Sequence, residues 1–151
     1  MGLRQIIVNR FLEQPFKRLH VEEIAQRLEL DGHKLARTFA AAKDSPGNRN
    51  LLSHITGIER WGQSRLQVAL GAPLTMDEYD GYRPPHEASW AELQTALRDT
   101  RQQTVSLARQ LGPAIAAGVQ VPHNQFGPLT VRSWLRYLDM HANMEAKKLK
   151  K

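Results

Sequence analysis

The sequence predicts an all-α protein, a four-helix bundle with a broken or kinked N-terminal helical region. Three observations predict it. No segment of useful length alternates apolar and polar residues as a half-buried strand does, while several segments space apolar residues by three and four. Four of those segments are long and amphipathic, so each can bury its stripe only against the others, which favours an antiparallel-type arrangement. With 151 residues, 41% of them hydrophobic, the chain can bury one good core but scarcely two, which implies a single domain over residues 1–151.

The first helical region covers about residues 3–29. Leu3, Ile7 and Phe11 lead to Pro15, a residue suited to a first helical turn, and Val21, Ile24, Ala25 and Leu28 continue the stripe. A break is expected near Pro15. Asp31 is a candidate N-cap for a short helix through Leu35 and Phe39 to Ala42. At Asp44-Ser45-Pro46-Gly47 the chain resets, and Ser45 can cap a second long helix of about residues 46–70 with Pro46 in its first position. Its inward stripe is Leu51, Ile55, Ile58 and Leu66, and His54, Ile58, Trp61 and Arg65 form the adjacent row.

From Gly71 to Ala88, proline, glycine and acidic residues predict a long loop of the kind that borders functional sites. Ser89 and Glu92 form a capping box for the third helix, marked by Trp90, Leu93, Leu97, Thr104, Leu107 and Leu111 and ended by Gly112 and Pro113. Residues 114–128 read as irregular. Thr130 can then cap a fourth helix running to the C-terminus, with Val131, Trp134, Leu135, Leu138, Ala142 and Leu149 on one side. Trp90 and Trp134 read as core anchors rather than stacking platforms.

Composition narrows the chemistry. The chain has no cysteine, which excludes disulfides, thiolate metal sites and a cysteine nucleophile, so any metal must be held by His, Asp or Glu. No stretch approaches the roughly 20 apolar residues that cross a bilayer, and Met1 is followed by an amphipathic helix rather than a signal-peptide core, so a cytoplasmic location is expected. The formal charge is +6, but Lys147, Lys148, Lys150 and Lys151 account for most of it, leaving 17 basic against 15 acidic residues elsewhere. Basic residues at a helix C-terminus complement its macrodipole, so the charge does not argue for a nucleic-acid partner.

The fourth helix carries one anomaly. Trp134, Leu138, His141 and Glu145 advance by four, three and four, placing two ionisable groups within an inward stripe. A buried carboxylate is costly unless it is paired or coordinates a metal. His141 and Glu145, one turn apart, can converge on one ion, and His54, beside the stripe of the second helix, is the candidate third donor. Two imidazoles and one carboxylate would make an open site for a divalent ion such as Zn, Ni, Fe or Mn. The same residues also fit a hydrogen-bonded core histidine, with Glu145 reaching solvent or Lys148. His86 and His123, in loops beside prolines, are expected at the surface, although His123 could line a site; His20 and His33 need no function. Asp139, two residues from His141, belongs to another face and is not counted as a ligand.

Residues 21–39, "VEEIAQRLELDGHKLARTF", offer a competing reading as a helix-turn-helix with a turn near Glu29 to Asp31 and a second helix presenting His33, Lys34 and Arg37 to DNA. Glu29 stands where such turns usually carry glycine.

The segments "LLSHITGIERWGQSRL" and "FGPLTVRSWLRYLDMHANMEAKKL" resemble the second and fourth helices of the DinB family, the damage-inducible and YfiT-like four-helix bundles, and "SWAELQTALRDTRQQ" fits the third. The resemblance covers most of the chain from about Ser45. It implies a divalent metal held by one histidine on the second helix and a His-x3-His pair on the fourth. His54 and His141 match the first two positions; Glu145 stands in place of the third, and Lys148 where the family often has glutamine. It further implies a small-molecule substrate, with a low-molecular-weight thiol among the cofactors, in a pocket under the 71–88 loop. Family members include thiol S-transferases, a thiol-dependent isomerase and metal-dependent hydrolases; many form homodimers. A bundle that has lost its metal and serves as a stress or interaction protein is the remaining alternative.

Overall fold

Three hydroxyl side chains begin three of the long helices. In the computed structural model, which describes residues 2–151, Ser45 Oγ accepts the Asn48 N–H at 3.2 Å, Ser89 Oγ accepts the Glu92 N–H at 3.1 Å, and Thr130 Oγ1 accepts the Ser133 N–H at 3.2 Å. Glu92 returns the bond to the Ser89 N–H, completing the capping box. These caps open α4 (Pro46–Val68), α5 (Trp90–Gln110) and α7 (Val131–Ala146), as the sequence predicts.

The N-terminal region is broken near Pro15 as expected, with the break just beyond the proline. α1 (Leu3–Ile7) passes into a π-helical stretch (Val8–Glu13) and then α2 (Gln14–Phe16), with Pro15 in its first turn; the helix stops only at Lys17. The widened π turn keeps residues four apart in line, so Val8, Leu12 and Phe16 are buried while Leu3 and Phe11 of the expected stripe face outward.

From Val21 to Ala41 the chain is one uninterrupted helix, α3. Asp31 therefore sits in mid-helix rather than at an N-cap, and the turn that a helix-turn-helix needs at residues 29–31 is not there. Gly32 does not break the helix because it serves packing: a Cβ at that position would lie 2.5 Å from Cγ of Arg101.

α3 packs against α5 and α7, and α4 packs against the same two helices, which sets α3 and α4 diagonally opposite in a four-helix bundle. Its interior has two apolar clusters. The larger contains Leu28, Ile58, Trp61, Val105, Trp134 and Leu138, and the smaller Leu35, Phe39, Leu52, Ile55, Leu97 and Ala142. The inward row of α4 thus begins at Leu52, with Leu51 only half-buried.

Between the clusters lies a charged layer contributed by all four helices. Arg101 is 3% exposed and clamps Glu59 through two bonds, Nε to Oε1 at 2.6 Å and Nη2 to Oε2 at 3.1 Å. Its Nη1 donates to Leu28 O at 3.1 Å and to Asp139 Oδ1 at 3.2 Å. Thr104 Oγ1 donates to Glu59 Oε1 at 2.8 Å, and Gln63 donates to Thr104. Asp139 Oδ2 is buried with no hydrogen-bond partner. Burial first, and the neighbouring Asp31 carboxyl second, push the Asp139 carboxyl up to about 8, although Arg101 pulls the other way.

After α5 a short helix, α6 (Gly112–Ala116), precedes an antiparallel hairpin of β1 (Gln120–His123) and β2 (Gly127–Thr130). The sequence does not predict this hairpin. Four-residue strands are too short to show alternation, and Pro122 and Pro128 face each other across the ladder. Gly127, at φ +72°, supplies the left-handed turn into β2. The hairpin is tied to the bundle by Trp134 Nε1, which donates to Val121 O at 2.9 Å. Arg65, fully buried, donates to Pro122 O at 2.7 Å and, from the other nitrogen, to Asp77 O at 3.0 Å, fastening both hairpin and 71–88 loop to α4. No helix of the described residues is long and apolar enough to cross a membrane.

Arg101→Leu leaves Glu59 buried without its cation and should lower unfolding stability in urea by about 3–5 kcal/mol; a loss under about 1 kcal/mol would refute a structural role for the pair. The Asp139 proton has a separate signature. Its native affinity exceeds that of the unfolded chain, so its stabilisation is complete below about pH 4, declines as pH rises and is gone above about 8. The urea midpoint of the native protein should therefore fall between pH 5 and 9 more steeply than that of Asp139→Asn; parallel profiles would contradict the raised proton affinity of Asp139.

Candidate metal centre

The row predicted on α7 turns inward as its spacing requires, but only partway. His141 and Glu145 are half-buried, as is His54 on the facing α4. His54 Nε2 and His141 Nε2 are 3.2 Å apart, and with a Glu145 carboxylate oxygen they form a group whose candidate ligand atoms all lie within 4.8 Å of one another. The three residues named from the sequence are thus neighbours in space. Asp139 points instead to Arg101.

Aromatic rings flank the pair. Tyr79 meets the His54 ring edge-on at 5.1 Å between centroids, and Tyr137 lies 5.9 Å from the His141 ring. Burial is the main reason that both imidazoles lose basicity. His54 is lowered further by Arg83 and Lys148, though Glu145 opposes the shift; His141 falls to about 4, with the neighbouring His54 adding to the effect. Both rings are neutral at pH 7 and keep a lone pair. Burial disfavours the Glu145 charge, but the bond from Lys148 Nζ, at 2.9 and 3.1 Å to the two oxygens, holds its carboxyl below the usual range.

Two neutral imidazole nitrogens this close either share one N–H or address a common cation. Nitrogen ligands about 2.0–2.1 Å from a tetrahedral Zn lie about 3.3–3.4 Å apart, close to the 3.2 Å found here. The donor set also fits: two borderline nitrogens and one hard oxygen, without sulfur, suit Zn, Ni, Fe or Mn. Lys148 is the element that does not belong to such a site. It occupies the carboxylate that a metal would need, and must share or release it.

His54 and Glu145 open onto a cleft of about 560 Å3. The 71–88 loop, expected to roof it, contributes only Arg83; the remaining walls come from residues 43–51 and from the tail after α7. Arg83 is held by a close approach to α4: a Cβ on Gly57 would lie 2.9 Å from Arg83 Cγ and 3.4 Å from its backbone N and Cα.

His123 departs from expectation. Rather than lying at the surface it is 3% exposed, with Trp61, Phe126, Trp134 and Tyr137 around its ring at centroid distances of 4.5–5.2 Å. Its Nδ1 accepts the Gln125 and Phe126 N–H groups at 3.0 and 3.3 Å, closing the hairpin turn. Burial, then nearby Arg65, lowers it to about 4. His86 is exposed as expected; His20 and His33 are exposed too.

Residues 12–145 match the family model of the DinB superfamily. Neither the curated proteins nor the solved structures give a match.

Nδ1 of His123 is an acceptor, so the proton belongs on Nε2. Proton–nitrogen correlation spectra should show His123 as the Nε2–H tautomer with no titration between pH 5 and 8; a midpoint near the ordinary value of about 6.5 would contradict its placement.

Proposed function

The chain belongs to the DinB superfamily, and on that premise we propose that it is a metal-dependent enzyme of the transferase or hydrolase type acting on a small molecule. The divalent ion would be held by His54, His141 and Glu145. The observation that carries this reading is the 3.2 Å approach of the two Nε2 atoms beside the ionised Glu145. When bound, the ion would supply Lewis acidity, lowering the pKa of a water or thiol or polarising a substrate oxygen. A low-molecular-weight thiol as co-substrate and a homodimeric assembly belong to the same proposal.

The residues of the chain would do the rest. Neutral His54 and His141 offer lone pairs at pH 7 without first losing a proton. Tyr79 and Tyr137 press on the two rings and limit their rotation. Glu145 contributes the only negative charge lining the cleft among the described residues, and Lys148, which now holds both of its oxygens, would have to share or release that carboxylate to the ion. The helix-turn-helix alternative has no turn to stand on.

Elemental analysis of protein purified without chelator should find close to one equivalent of Zn, Ni, Fe or Mn, lost in His54→Ala and in His141→Ala. At a hundred times its Kd, the added ion should stabilise the native protein by about 2.7 kcal/mol. No bound metal and no thermal shift with any of the four ions would overturn the reading and leave the two imidazoles as a hydrogen-bonded pair.

A further inference from the structure

The cleft beside the candidate metal centre is strongly cationic. Lys43, Arg83, Lys148 and Lys150 line it, against a single carboxylate, Glu145. Two of these cations are already paired, Lys148 with Glu145 at 2.9 Å and Arg83 with the exposed Asp80 at 3.5 Å. Neither Lys43 nor Lys150 has a carboxylate partner among the described residues. The first turn of α4 forms another wall through Ser45, Gly47 and Asn48 and presents the positive end of a 23-residue helix to the same space.

This arrangement is held from inside. Asn48 is 2% exposed and acts as a clasp: its Nδ2 donates to Lys43 O at 2.9 Å and to Lys150 O at 2.7 Å, and its Oδ1 accepts the Lys150 N–H at 3.1 Å. One buried amide therefore fixes the backbone at both free lysines, which would otherwise sit on a connecting loop and a loose tail. Arg83, which lines the same cleft, lies against Gly57 and donates to Asn50 Oδ1 at 3.3 Å. Like charges brought together on a fixed frame repel one another, and an anion between them relieves that repulsion.

We propose that the Lys43, Arg83 and Lys150 side of this cleft is an anion-binding subsite, and that the small-molecule substrate carries a carboxylate or phosphate there while its reacting group faces His54 and Glu145. The cleft volume of about 560 Å3 suits a small ligand. Leu51 is the one large apolar side chain lining it, so recognition is by charge and hydrogen bonding. The assignment to substrate rests on the metal-dependent reading of the site; the subsite itself does not.

The test is calorimetric titration of chelator-treated, full-length protein with inorganic phosphate and with succinate, at low and at physiological salt, followed by the double variant Lys43→Gln/Lys150→Gln and by Lys147→Gln. Wild type should bind at least one probe, more weakly as salt rises. The double variant should lose about ten-fold or more in affinity, and Lys147→Gln, altered outside the cleft, should bind as wild type does. Tighter phosphate binding would identify a phosphoryl group and tighter succinate binding a carboxylate, and either supports the subsite. Equal binding by all three proteins, or none by wild type at low salt, overturns it. Metal uptake measured on the same samples separates the two proposals: anion binding without metal removes the metal centre only, and metal without anion binding removes the subsite only. Asn48→Ala, which frees both lysines without removing charge, should weaken the same probe while circular dichroism remains helical; unchanged affinity would exclude the clasp.

Discussion

Everything in this bundle is arranged around one buried cation. Arg101 has no access to water, so its charge must be answered from within, and the answer comes from Glu59 on α4, Asp139 on α7 and the Leu28 carbonyl on α3. Apolar stripes alone would let helices slide by a turn at modest cost. A guanidinium with directed donors does not, because each displaced helix would leave a charge or a carbonyl unpaired in a medium where that is expensive. Gly32 is part of the same constraint, since the Arg101 stem occupies the space of its missing side chain.

The candidate centre inherits its geometry from that layer. His54 precedes Glu59 on α4 by little more than a turn, and His141 follows Asp139 on α7 by two residues, so the contacts that set the register of these helices also bring the Nε2 atoms of the two imidazoles within 3.2 Å. Because Asp139 and His141 are two apart, one serves the layer and the other faces His54. The aromatic packing of Trp61, Trp134 and His123 then steadies the opposite flank, through a hairpin held by Arg65.

Helix starts were legible in the sequence because a cap is a local event: Ser45, Ser89 and Thr130 each act on a backbone group three residues away. The His141–Glu145 row was legible because spacing of three and four fixes a face wherever the helix lies, and the approach of His54 could be named from its place beside the apolar stripe of α4. What escaped depends on partners distant in the chain. Gly32 and Asp31 resemble a break until Arg101 is known to lie across them, and the charged layer itself reads as solvated surface when each member is met alone. His123 resembles a loop histidine because the rings that bury it come from α4, α7 and the hairpin. The tail lysines fit a helix dipole equally well, and only the Asn48 clasp shows that the backbone at Lys150 is fixed beside the cleft.

That clasp joins residues 102 positions apart, and with it the cleft becomes a feature of chain order as well as of shape. α3, α4 and α5 lack the Asp139 acceptor of their buried layer until α7 supplies it, so in one cooperative domain the wall from residues 43–51 and the wall that carries Lys148 and Lys150 come together only as the last helix docks. A chain shortened by its final residues would keep both candidate imidazoles and lose one side of the cleft.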